Sequence, residues 1–273
     1  MIRTTSQIRE HYDLETALAD RLRHSTREAR TTLYNEVYND LFSKIKHHPQ
    51  LTRKNNAAEI RKRNQEQLGF LSRFIEDHHT YLEVGAGDCG LTFAVAEKVK
   101  QAIAVDVSPV ITENARTPDN FELRISDGRS IPVPPESIDI AYSNQLMEHL
   151  HEEDAFEQLG NIYQALVNGG SYICVTPNRV NGPHDVSAYF DKTARGLHLK
   201  EYTWHELKIL FRKAGFSQVN AFIGKAPVFF QAPLSLVILY EYALGLIPHF
   251  LRKRLLKIKL LRFPLFIRIE GVK

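Results

Sequence analysis

The chain has 273 residues, 43% of them hydrophobic and 25% charged, with a formal net charge of +3. This is the balance of a globular chain of one large domain, or of one domain with appended helices, and it does not call for a strong polyanion partner. Two cysteines, Cys89 and Cys174, exclude a disulfide framework and a cysteine metal site, and they suit a reducing cytoplasm.

In chain order, the first fifteen residues, MIRTTSQIREHYDLE, lack an apolar core, so no secretory signal is expected. Residues 1–79 read as helical. Leu14, Leu18 and Leu22 share one face at four-residue spacing, as do Tyr34, Tyr38 and Phe42 on the next segment. Pro49 breaks the pattern, and a third helix is expected over about 56–77. Residues 1–55 thus form an N-terminal helical cap, and 56–273 the main domain.

From 80 to 224 the pattern alternates. Apolar or β-branched runs at 80–84, 101–106, 121–126, 138–143, 171–176 and 217–223 predict strands, with helices expected at 91–100, 153–167 and 204–214. Such alternation implies a parallel sheet covered on both faces. Asn168-Gly169-Gly170 is expected to close one helix and Ala214-Gly215 another. Residues 226–263, divided by Pro227, Pro233, Pro248 and Pro264 just beyond, read as a helical, basic and hydrophobic insertion before a last strand at 265–272. The apolar run 226–240 is too short and too interrupted to span a membrane. A helix, Gly-Phe, a strand, a long connection and a final strand together suggest an antiparallel hairpin at the sheet edge.

The segment YLEVGAGDCG at 81–90 runs an apolar strand into Gly85, Gly87 and Gly90. Glycines let the backbone turn sharply and let a ligand approach without a Cβ in the way. The following helix aims its positive end at the same place. Asp106 ends the next apolar run, where an acid accepts hydrogen bonds from ribose hydroxyls. The same spacing fits a dinucleotide fingerprint, so a nicotinamide-dependent oxidoreductase stands as an alternative, and a tight turn without ligand as a third reading. Three features favour another nucleoside. Glu83, two residues before Gly85, repels a pyrophosphate but not an ammonium group. Ser126-Asp127-Gly128 ends the third strand, where an acid can accept from an adenine amino group. The late strand is unusual in nicotinamide domains.

On these residues the chain resembles the class I S-adenosylmethionine-dependent methyltransferase superfamily, especially its small-molecule, type 11/23-like branch. The resemblance covers 80–224 and the last strand. It rests on Glu83, Gly85 and Gly87 in the first motif, Asp106 and Asp127 after the second and third strands, and the fourth-strand segment Ile138–Asn144 with Met147-Glu148-His149-Leu150. Leu166–Gly170 and Tyr202–Phe216 resemble later motifs of the branch. The resemblance implies an α/β fold, a Rossmann-like seven-stranded doubly wound sheet with an antiparallel last strand. It implies S-adenosyl-L-methionine as cofactor, bound by Glu83, Gly85, Ala86, Gly87, Asp106, Val107, Asp127, Gly128 and Asn144. One departure stands out: the third glycine of the turn is replaced by Cys89 and displaced to Gly90.

Methyl transfer needs an acceptor lone pair aimed at the sulfonium methyl, and an oxygen acceptor also needs a base. The candidates are His149, His184 beside Asp185, and His198, each weighed against a structural role in its loop. Glu148-His149 is also similar to quinone-pathway O-methyltransferases, but Gln145 stands where a second metal-holding glutamate belongs, so no metal is expected. His11, His24, His47, His48, His78, His79, His151, His205 and His249 are expected at solvated helix ends or turns, and both cysteines as small buried residues.

Residues 251–273 carry eight Lys or Arg against Glu270 alone. Leucines interleaved with cations through 248–262 suit either peripheral contact with an anionic membrane or a helix packed on the sheet with its cations in water. The expected acceptor is a small or amphipathic molecule, lipid-linked forms included, methylated at oxygen, with nitrogen and carbon acceptors as alternatives. A non-catalytic protein that keeps the cofactor pocket is a further alternative. No nucleic-acid partner is expected, because Ser143-Asn144-Gln145-Leu146 lacks the signature of amino-directed DNA enzymes.

Overall fold

Apolar side chains alternate along the central strands, and both sets are buried. In the computed structural model, which describes residues 3–49, 51, 57–107 and 117–273, these strands form one mixed sheet. The strands are β1 (Thr80–Val84), β2 (Gln101–Asp106), β3 (Phe121–Ile125), β4 (Ile138–Asn144), β5 (Leu166–Thr176), β6 (Gln218–Lys225), β7 (Val228–Ala232) and β8 (Ile267–Val272). Their order is β3-β2-β1-β4-β5-β8-β6-β7. The first five pair in parallel. Chain order reverses between β1 and β4, and the carboxyl ends on either side of that point open a crevice where ligands of such sheets bind.

The helices are α1 (Thr5–Arg23), α2 (Arg27–Lys44), α3 (Ala57–Leu71), α4 (Gly90–Ala96), α5 (Glu152–Ala165), α6 (Trp204–Ala214), α7 (Leu234–Gly245), α8 (His249–Leu255) and α9 (Lys259–Arg262). Leu82, Val84, Ile103 and Val105 pack with Leu159, Ile162 and Phe211 of α5 and α6. Tyr81, Ala102, Ile140 and Tyr142 turn the other way, onto Phe70 of α3 and Leu91 and Val95 of α4. Period-two alternation with both faces buried is what a covered parallel sheet requires.

Capping boxes start α1 (Thr4 with Gln7) and α6 (Thr203 with Glu206), and Thr26 caps α2. Gly215, at φ +112°, ends α6 as expected. Leu18, Leu22, Tyr34, Val37 and Leu41 of α1 and α2 join the α5–α6 side of the core. Arg30 of α2 fastens the cap to α5. Its Nε and Nη2 donate to Asp154 Oδ2 and Oδ1 at 2.6 and 3.0 Å, and both residues are buried. The boundary expected at 55/56 lies outside the described residues.

Three expectations are corrected. The sheet has eight strands, not seven: β7 pairs antiparallel with β6 and forms the edge. Only its Phe229 and Ala232 are buried, three residues apart, with Val228, Phe230 and Gln231 exposed, so no period of two separates the strand from the apolar run that continues into α7. The last strand is not at the edge, since β8 lies between β5 and β6, antiparallel to both. There Gly271 permits close packing, because a Cβ would lie 2.5 Å from Phe211 and 2.6 Å from Phe216. Finally, Asn168-Gly169-Gly170 does not cap a helix. It lies inside β5, beside the register shift between the Ile138 and Ile140 pairs, with Gly169 at φ +81°.

Candidate active site

The turn after β1 is built on left-handed residues. Gly85 has φ +72°, and its N–H donates to Val105 O at 2.8 Å. A Cβ on it would lie 2.9 Å from Leu146 Cδ1. Gly87, at φ +58°, donates its N–H to Asp106 Oδ2 at 3.0 Å, and the space a Cβ would take there is open. Cys89 holds φ +54° in the place the glycine pattern would favour, and it is fully buried, as is Cys174. Burial, with Glu83 and Asp106 nearby, pushes the Cys89 thiol up to about 12, so it is no nucleophile.

Glu83 lies under the turn. Thr92 Oγ1 of α4 donates to its Oε2 at 2.5 Å, and burial raises its pKa to about 8 against that bond. A carboxyl in this state is largely protonated at neutral pH. Asp127 is held by its own loop: Oδ1 takes the N–H groups of Arg129 and Ser130 and the Ser130 hydroxyl, and Oδ2 takes Arg129 Nη2 at 3.0 Å. Burial opposes its ionisation, but these donors hold its pKa well below the usual carboxylate range. Its geometry is that of a loop-ordering side chain. Asn144 Nδ2 donates to Gln67 Oε1 of α3 at 3.3 Å.

A cavity of about 210 Å³ opens at the carboxyl ends of β1, β2 and β4. Of the residues singled out in the sequence, Gly85, Asp106, Val107, Gly128 and His149 line it, whereas Glu83, Ala86, Gly87, Asp127 and Asn144 surround it without lining it. Tyr34 and Tyr38 of α2 close its far side, and Tyr34, Val107 and Ser126 also border a second hollow of about 280 Å³ against α2. Tyr34 is fixed by donating to Asp154 Oδ2 (2.7 Å) and accepting from His151 N (2.8 Å). Sequence reasoning placed Tyr34 and Tyr38 on one helical face but had no signal that this face folds over the turn. Among the described residues the cavity lining carries the Asp106 carboxylate and no lysine or arginine.

A larger cavity of about 500 Å³ lies beyond it, and all three candidate histidines, His149, His184 and His198, border it with Asp185. His149 and Tyr38 are walls of both cavities. His149 Nδ1 lies 3.0 Å from Leu197 O, so the proton sits on Nδ1 and Nε2 keeps the lone pair. The His149 ring stands edge-on to His198 at 4.9 Å. Burial would lower the His198 pKa, but its 2.8 Å contact with Glu201 and the charges of Glu148 and Asp185 raise it. Burial, and then the charge on His198, take His149 down to about 3. His184 Nε2 lies 3.1 Å from both Asn178 O and Asn181 Oδ1, a loop-fastening position. Asp185 accepts from Ser187 N and Gly196 N, and burial raises its pKa.

His11 and His48 are corrected: both are buried and border the large cavity. Helix α1 turns His11 and Glu15 inward, i to i+4, and the two meet at 2.5 Å. Two donor groups of the kind divalent cations take therefore border this cavity, His11–Glu15–His48 and Glu148–His149–His198. Within each, one atom per residue lies within 4.8 Å of the others. Glu148 is buried, its Oε2 accepts from Thr176 Oγ1 at 2.9 Å, and its Oε1 has no hydrogen-bond partner among the described residues.

Residues 82–170 match the model of a methyltransferase domain family. A probable S-adenosylmethionine-dependent methyltransferase of Mycolicibacterium smegmatis is 28% identical over 137 residues, 50% of this chain and 51% of that protein. One from Mycobacterium tuberculosis is 27% identical over 139 residues, 50% of this chain and 48% of its own. The chain thus matches about half the length of these relatives. Among solved structures, phosphoethanolamine N-methyltransferase 1 of Haemonchus contortus, in complex with phosphoethanolamine and S-adenosylhomocysteine, aligns over 91% of this chain and 50% of its own. Its TM-score is 0.59 at 15% identity. A structure of the Haloferax volcanii Trm112 methyltransferase activator with a methyltransferase aligns over 78% of this chain and 91% of the matched chain (TM-score 0.55, 18% identity). Residues 82–170, the glycine turn among them, thus match a methyltransferase domain, and the strand order around it gives the chain the fold of these solved methyltransferase structures.

Proposed function

We propose that the chain is a methyltransferase that uses S-adenosyl-L-methionine to methylate an oxygen of a small or amphipathic acceptor, lipid-linked forms included. The observation that carries this reading is the shared wall: His149 and Tyr38 border both the cavity at the glycine turn and the larger, histidine-lined one. The cofactor fits the first cavity on three counts. Asp106 ends β2 where ribose hydroxyls need an acceptor, the space over Gly87 beside the cavity is open, and a lining with a carboxylate and, among the described residues, no cation suits a sulfonium better than a pyrophosphate. Gly85, Gly87, Asp106, Val107 and Gly128 hold the nucleoside in this reading, Ala86 and Asn144 shape its surroundings, and Glu83 supports the turn from below. Asp127 orders its loop and leaves the adenine to Tyr34 and Val107.

When bound, the cofactor supplies an electrophilic methyl whose bond pair stays with sulfur. The chain's part is to bring an acceptor oxygen against that position and remove its proton. His149 is the base: it is neutral across the physiological range, Leu197 O fixes its tautomer, and Nε2 receives the proton. His198 and His184 position the loops that cover the acceptor. Peripheral membrane contact through residues 248–262 belongs to the same proposal. Phe250, Leu251, Leu255, Ile258 and Leu260 are exposed there among cations, and among the described residues no helix is long and apolar enough to cross a membrane.

The test is transfer of labelled methyl from S-adenosylmethionine to hydroxyl-bearing acceptors, free and membrane-borne. His149→Gln should lower kcat by about 10²-fold or more while S-adenosylhomocysteine affinity changes little. Unchanged turnover in that variant would remove His149 as base.

A further inference from the structure

A fourth cavity, of about 260 Å³, opens between the loop after β5 and the helices α8 and α9. Among the described residues its charged lining is all of one sign: Arg252, Lys253, Lys257 and Arg262, with His249 beside them and no carboxylate. Burial, and then the charges of Arg252, Lys253 and Lys192, hold the His249 pKa below its ordinary value, so the imidazole stays neutral in a positive field. Arg252 is fastened, its Nη1 donating to Leu244 O (3.4 Å) and Gly245 O (3.2 Å) at the end of α7. Among the described residues no ion pair includes Arg252, Lys253, Lys257 or Arg262. Four cations converging on a hollow without counter-charge repel one another, and an anion placed among them relieves that repulsion.

This hollow adjoins the acceptor side of the molecule. Pro183 and Ala188 are walls of both the basic cavity and the large cavity at His149. We infer that the basic cavity is a phosphate subsite: it holds the phosphoryl group of the acceptor, whose methyl-receiving end lies at His149. Several oxygens shared among an arginine fork and lysine ammonium groups are the contacts that phosphate favours. The neighbouring surface favours a phosphate carried on a lipid, because Leu246, Phe250 and Leu260 are 68, 65 and 80% exposed beside these cations. This assignment rests on the acceptor site proposed above.

The test uses the full chain saturated with S-adenosylhomocysteine. One arm measures flotation with phosphatidylcholine vesicles with and without phosphatidic acid. A second measures binding of soluble glycerol 3-phosphate, and a third a single-stranded oligonucleotide. The variant is Lys253→Gln with Lys257→Gln and Arg262→Gln, all exposed side chains. The control is Lys98→Gln with Lys100→Gln, at the opposite end of the sheet. Phosphatidic acid should recruit the protein, and the triple variant should lose at least tenfold in affinity while the control does not. Binding of glycerol 3-phosphate alone, lost in the same variant, supports the subsite with a soluble source. Equal binding by variant and control, or binding of the oligonucleotide with neither phosphate ester, overturns it. Calorimetry with S-adenosylhomocysteine on each protein separates the two proposals, since the cofactor should bind the triple variant normally. Its failure to bind the unmodified chain would count against the methyltransferase reading and leave the phosphate measurement standing.

Discussion

Replacing Asp154 with alanine should cost the fold about 3–5 kcal/mol, because it strands a buried guanidinium. Arg30 is 1% exposed and pairs with Asp154 through two short contacts, while Arg129 Nη1 approaches the same carboxylate at 3.9 Å. After the substitution Arg30 keeps Ser25 O and the Glu153 carboxylate, which is mostly in water and compensates weakly. Tyr34 loses its acceptor as well. In a chain of this length the loss corresponds to a fall in Tm of roughly 10 °C. Urea unfolding followed by circular dichroism and by fluorescence of the single tryptophan, buried Trp204, would read it. Arg30→Met with Asp154→Leu should recover at least half of the loss, since a buried pair replaced by apolar groups of similar volume is often neutral or better. Tyr34 also lines the cavity at the glycine turn, so Asp154→Ala should weaken S-adenosylhomocysteine binding while the refilled double variant restores part of it. A single variant within about 1 kcal/mol of the parent, or a double variant no better than the single one, would refute the reasoning.

Glu83 makes stability depend on pH. Its folded pKa of about 8 exceeds the ordinary carboxyl value, so the folded state keeps a proton that the unfolded chain releases. That contribution is complete below the unfolded pKa and is lost as pH rises through about 8, at about 1.4 kcal/mol per unit within the window. Melting curves from pH 5 to 8 should therefore slope more steeply for the parent than for Glu83→Gln, and equal slopes would contradict the assignment. Gly85→Ala should lower S-adenosylhomocysteine affinity about tenfold. An L-residue at φ +72° costs about 1–2 kcal/mol, and the new methyl presses Leu146, itself a wall of the cavity. Calorimetry checks this, and unchanged affinity would mean that the turn is not where the nucleoside sits.

The main sheet was legible because its signals are local. Period-two apolar runs placed seven strands within a few residues, and the glycines marked the turn that β1 and α4 build. What was missed is set by distance in the chain. Nothing near β8 shows that it inserts between β5 and β6, because a fully paired strand and an edge strand share one apolar pattern. The cavities depend on long-range packing too. His11 and Glu15 are polar residues on a helix whose inward face shows only once α1 lies across the loop at Leu197, where Leu197 N donates to Glu15 Oε1 at 2.9 Å. Tyr34 carried an apolar signal, but its role over the glycine turn follows from Asp154, 120 positions away. Asp127 shows the opposite limit. Its place after β3 suggested adenine recognition, yet four local donors hold it.

The central claim, a cofactor cavity built for an adenosyl sulfonium and not for a dinucleotide, is tested most directly by calorimetric titration. The chain should bind one equivalent of S-adenosylhomocysteine and give no heat with NAD or NADH under the same conditions. Saturable NADH binding with no response to S-adenosylhomocysteine would contradict it.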